Sequence, residues 1–99
     1  MITGPLCRAA RALVEIKRGR LSRSSGVDKT TIEHFERMIA TPSDEEILAL
    51  RAALEEHGAI FIPENGGGVG VRLKFTRSET KRIGVLEGEG GLAGNDDVP

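Results

Sequence analysis

Residues 21–36 read Leu-Ser-Arg-Ser-Ser-Gly-Val-Asp-Lys-Thr-Thr-Ile-Glu-His-Phe-Glu, and their pattern decides the fold. Apolar residues fall only where two short helices would touch, with Leu21 and Ile32 facing a core and Phe35 closing the pattern. Gly26 and Val27 make the turn between them. Gly26 suits a left-handed helix end, and the Asp28 carboxylate suits the N-cap of the next helix. The polar side chains of Lys29, Thr30, Glu33 and His34 then project from the outer face of the second helix.

Working outward, a preceding helix is expected over about residues 5–15. Thr3 is its N-cap, Pro5 sits in its first turn, and Leu6, Ala9, Ala10, Leu13 and Val14 form its inner stripe. The central pair spans about 18–25 and 29–37. Thr41-Pro42 breaks the chain, and Ser43 with Glu46 forms a capping box that opens a fourth helix. Ile47, Leu50 and Leu54 are the inner stripe of that helix, and Gly58 ends it. Residues 59–62 and 70–75 follow, joined by Pro-Glu-Asn-Gly-Gly-Gly-Val. The second run alternates, with Val71, Leu73 and Phe75 on one face and Arg72 and Lys74 on the other, which predicts an antiparallel hairpin. A lone two-stranded hairpin is marginal in water, so it must dock on its own helices or on a second copy of itself. From residue 77 the chain becomes polar, Gly-rich and acidic, and 77–99 reads as a disordered tail.

The expected fold class is therefore mainly α, with four to five helices and a C-terminal β-hairpin or strand. The division is a 1–58 helix-turn-helix domain expected to bind DNA, a 59–76 hairpin that is a candidate dimerisation element, and a 77–99 tail. Only three aromatics occur, all Phe, so the core must be aliphatic. A single Cys excludes an internal disulfide and a cysteine-cluster metal site. No run approaches the length of a membrane span or a signal-peptide apolar region, so a cytoplasmic location is expected.

The net charge is −1, but the distribution is uneven. Residues 1–37 hold eight Lys/Arg against four acids, a net of +4, whereas 38–58 hold one Arg against five acids, a net of −4. The basic excess coincides with the two short helices, where phosphate contacts would be made. A short helix presenting polar tips from a rigid turn fits a DNA major groove. On this reading Lys29, Thr30, Glu33 and His34 meet base edges, while Lys17, Arg18, Arg20 and Arg37 meet phosphates. No nucleophile, acid pair or metal-ligand spacing supports an enzyme or implies a cofactor. Gly66–Gly70 lacks the Lys-Ser/Thr of a phosphate loop.

These helices resemble the Cro/C1-type (XRE-like, lambda-repressor-like) helix-turn-helix family of transcriptional regulators. The residues that carry the resemblance are Leu21, Gly26-Val27, Thr31-Ile32, Phe35-Glu36-Arg37 and Thr41-Pro42. The run from Phe61 to Leu73 looks like the ending of short alphaproteobacterial members. The resemblance implies that 29–37 is the recognition helix. It also implies that the position of Arg18 anchors a phosphate, and that Arg11 and Glu36 form a partly buried ion pair. Two departures stand out. The usual Ser/Thr-Gln-Glu opening of the second helix is Lys17-Arg18-Gly19, and the glycine usual after the recognition helix is Met38. The function implied is sequence-specific binding of double-stranded DNA by a homodimeric repressor or activator, with Val71, Leu73 and Phe75 at the dimer contact. The alternative is a protein-interaction role, such as an antitoxin or anti-activator, in which the acidic fourth helix or the tail holds a protein partner.

Overall fold

Thr3 starts the first helix by accepting the Leu6 N–H (3.2 Å), and α1 runs Gly4–Val14 with Pro5 in its first turn. The computed structural model describes residues 1–74, and the expectations for the tail and for Phe75 lie outside the described residues. α2 (Arg18–Ser25) ends at Gly26, whose φ of 80° is the left-handed cap the sequence required. α3 (Lys29–Glu36) opens at Asp28, whose carboxylate accepts the Thr30 N–H at 3.0 Å. α4 (Asp44–Glu56) opens with the full capping box: Ser43 Oγ accepts the Glu46 N–H (3.1 Å) and Glu46 Oε1 accepts the Ser43 N–H (3.0 Å). β1 (Ala59–Ile62) and β2 (Gly70–Leu73) close the described chain as an antiparallel pair, Phe61 opposite Val71. The protein is mainly helical, with four helices and one two-stranded sheet among the described residues.

Leu21, Ile32, Leu50 and Leu54 have no exposed surface and form the centre of the core, joined by Cys7, Phe35, Ile47 and Phe61. α1 differs from expectation. Its buried positions are Gly4, Cys7 and Ala10, whereas Ala9 and Leu13 are exposed. The apolar period along α1 fits two neighbouring stripes equally well, and contact with α3 and α4 selects the one containing Cys7. Gly4 explains how close that contact is, because a Cβ at this position would overlap the Phe35 carbonyl at the end of α3. The first turn of α1 thus rests directly on the α3 backbone.

The hairpin docks on its own helices. β2 packs against α1 and β1 against α4, with Val71 half-buried on the core cluster. The Lys74 N–H donates to the Gly58 carbonyl at 2.6 Å. With the observed register, Ile60/Arg72 and Ile62/Gly70 are then the hydrogen-bonded pairs. Val71 and Leu73 turn their backbone groups away from β1. α3 is followed by Met38 at φ 60°, a left-handed conformation that costs a side-chain-bearing residue about 1 kcal/mol.

Candidate nucleic-acid interface

The α2–turn–α3 unit is held from beneath by one carboxylate. Glu36, on the last turn of α3, has a fully buried side chain and three partners. Arg11 of α1 grips it in a fork, Nε to Oε2 at 2.8 Å and Nη2 to Oε1 at 2.7 Å. The third Arg11 nitrogen donates to the Ile16 carbonyl at 3.2 Å, which ties the α1–α2 loop into the same cluster. Arg18, the first residue of α2, donates from Nε to Oε1 at 3.1 Å, and the Cys7 thiol contacts Oε2 at 3.4 Å. Burial opposes ionisation of Glu36, but the hydrogen bonds and charge of Arg11, aided by Cys7 and Arg18, outweigh it and hold the carboxyl below its ordinary range. The same carboxylate holds Arg11 above its ordinary value, against the pull of burial. Burial first, then the neighbouring Glu36, pushes the Cys7 thiol up to about 12, so this sulfur stays protonated and unreactive.

The expected Arg11–Glu36 pair is therefore present, but Arg18 joins it. Read from the sequence as a phosphate contact, Arg18 has its Nε committed to Glu36 and its side chain 30% exposed. Its two terminal nitrogens make no hydrogen bond among the described residues. The missed signal is spatial: residues 18 and 36 meet only because α2 and α3 fold against each other. Arg37 is also engaged, with Nη1 on Glu33 Oε2 at 3.0 Å along the outer surface of α3. Glu33 is thus partnered as well. This pair is exposed and adds little to stability.

The remaining expected residues lie together. Lys29 and Thr30 are exposed at the start of α3 and His34 is half-buried one turn on. Beside them, Lys17, Arg20, Arg23 and Lys29 border a shallow groove of about 380 Å³ that runs over Gly19 and is touched by one acid, Glu15. α2 starts beneath this groove with no side chain capping it, so its first N–H groups are left to solvent or to an anion. The groove thus combines four cations with free backbone donors, a surface suited to a polyanion. At the other end of α2, Ser24 Oγ and His57 Nε2 lie 3.1 Å apart, linking α2 to the end of α4. No described helix is long and apolar enough to cross a membrane. Compared with known protein families and with curated proteins, this sequence matches none.

Proposed function

We propose that this protein is a sequence-specific double-stranded DNA-binding regulator built on a Cro/C1-like helix-turn-helix, with α3 as the recognition helix. The observation that carries the reading is the placement of an exposed α3 N-terminus beside a groove bordered by Lys17, Arg20, Arg23 and Lys29. Cations along the groove and the free N–H groups at the start of α2 neutralise phosphates and set the register. Lys29, Thr30 and His34 meet major-groove edges. Arg18 serves both functions: its Nε is fixed by Glu36, so its terminal nitrogens are pre-oriented toward a phosphate. Two copies would read half-sites about 34 Å apart.

The test is binding to the DNA upstream of the protein's own gene against a random duplex, titrated with salt. Salt-steep binding with preference for the first duplex supports the proposal. Equal affinity for both removes it. Arg20→Ala should weaken both complexes and reduce the salt slope by about one. Lys29→Ala should lower the preference between them.

A further inference from the structure

Ion pairing divides the cations of the fold. Arg11, Arg18, Arg37 and Arg51 each hold a carboxylate. Lys17, Arg20, Arg23 and Lys29 are exposed and hold none among the described residues, although all four border the groove at the start of α2. The Arg23 guanidinium reaches back one turn, so that a Cβ on Gly19 would lie 3.9 Å from its Nη1. Its charge therefore adds to the start of the helix. Four cations against one acid, Glu15, leave a net of +3 on the groove. Like charges gathered around one groove repel one another, and an anion seated among them relieves that repulsion.

The chain carries an anionic segment of its own, and the fold leads the chain toward this groove. The Lys74 N–H bonds the Gly58 carbonyl at 2.6 Å, Gly58 follows His57, and His57 Nε2 lies 3.1 Å from Ser24 Oγ. Ser24 adjoins Arg23, so the described chain ends beside α2, whose eight residues are about 12 Å long. The next twelve residues, 75–86, hold Arg77, Lys81 and Arg82 against Glu79, a like charge that excludes them as the occupant. Residues 87–97 hold Glu87, Glu89, Asp96 and Asp97 and no Lys or Arg. A spacer of twelve residues reaches at most about 40 Å, roughly three times the length of α2.

We propose that residues 87–97 lie in the groove bordered by Lys17, Arg20, Arg23 and Lys29 and there compete with nucleic-acid phosphates. Four carboxylates nearly balance the charge of the groove. Gly88, Gly90, Gly91 and Gly94 carry no side chain, which keeps the segment narrow enough to follow a shallow groove. Each exposed charge pair is weak and screened by salt. Tethering compensates, because a tethered occupant meets its site at an effective concentration of order millimolar. The competition rests on the DNA-binding reading; the contact within the chain does not.

The test is paramagnetic broadening of amide resonances in the full chain. A nitroxide is attached at Ala93→Cys, between the two acid pairs, while the buried Cys7 thiol, pushed up to about 12, stays unlabelled. At low ionic strength the label should broaden the amides of Gly19, Arg20, Arg23 and Lys29, and added salt should release them. Glu87→Gln, Glu89→Gln, Asp96→Asn and Asp97→Asn together should abolish the broadening. The same four-acid variant should bind a random duplex about tenfold more tightly than wild type, the factor for a groove otherwise open about one time in ten. Asp44→Asn, Glu45→Gln, Glu56→Gln and Glu64→Gln together change the net charge equally at residues that do not border the groove. This control should stay within about twofold of wild type. Broadening that is missing at low salt, persists in the four-acid variant, or passes between copies in a mixed-isotope sample overturns the inference. So does duplex binding by the four-acid variant no tighter than by the control. Broadening with no duplex binding by any of these chains removes the DNA-binding proposal and leaves the contact standing.

Discussion

α2 and α4 begin in opposite ways. α4 has a reciprocal cap between Ser43 and Glu46 and three acids, Asp44, Glu45 and Glu46, in its first turn, each favourable to the helix dipole. α2 has Lys17 at its N-cap with no side-chain bond, no acid in its first turn, and glycine at its second position. α4 is therefore a helix by local chemistry. α2 is a helix because tertiary contacts hold it: Leu21 in the core, Arg18 on Glu36 and Ser24 near His57. The difference is instructive about function. A capped helix start has spent its N–H groups, whereas an uncapped one flanked by cations keeps them for a ligand.

The largest effect expected to test this contrast is at Glu36. Glu36→Gln should cost about 3 kcal/mol in urea unfolding, because it strands two arginines at a buried site. α2, which has the fewest local supports, should suffer first. The same group gives a pH signature. Its folded pKa lies below the ordinary value of 4.5. Its contribution is therefore complete above that value and is lost as pH falls through the folded pKa. Wild-type stability should carry an acid-side decline between those two values that Glu36→Gln lacks.

Ser43→Ala comes next, with an expected loss of about 1 kcal/mol from the capping box, read as a lower urea midpoint at unchanged slope. Lys17→Ser should act in the opposite sense. By supplying the missing cap it should stabilise the fold by roughly 0.5–1 kcal/mol, while weakening the proposed DNA binding through a lost cation and an occupied N–H. If Lys17→Ser instead lowers stability, the contrast between the two helix starts fails. Gly19→Ala is the smallest change, an expected gain of roughly 0.5 kcal/mol from helix propensity. A Cβ there meets only the end of Arg23 at 3.9 Å, so thermal unfolding should show the gain without strain.

What could be read from the sequence was whatever is decided within a few residues. Gly26, Asp28 and the Ser43/Glu46 box are local devices, and the helix boundaries they imply match within about one residue. The hairpin was legible from its alternation, and the structure shows which of the two docking alternatives applies to Val71. The α1 stripe was not legible, because the choice between Leu13 and Cys7 depends on what α1 packs against. The role of Gly4 has no local signal for the same reason, since its close neighbour is Phe35. For Arg18 the sequence pattern points to a phosphate, whereas the structure puts its Nε on Glu36. An arginine at a helix start serves an anionic ligand or a buried carboxylate equally well, and only the fold brings Glu36 within reach.

The sharing of Glu36 also bears on how this sequence can change over generations. Either Arg11 or Arg18 answers the carboxylate, so losing the weaker, single-bond partner leaves the buried charge matched by the bidentate one. Position 18 is then partly released from its structural duty. A lineage could substitute it to alter contacts beyond the protein and keep its fold, whereas the same freedom is denied at Arg11. Substitutions at the two positions should compound rather than add, and drift should be tolerated on one side of the carboxylate and purged on the other.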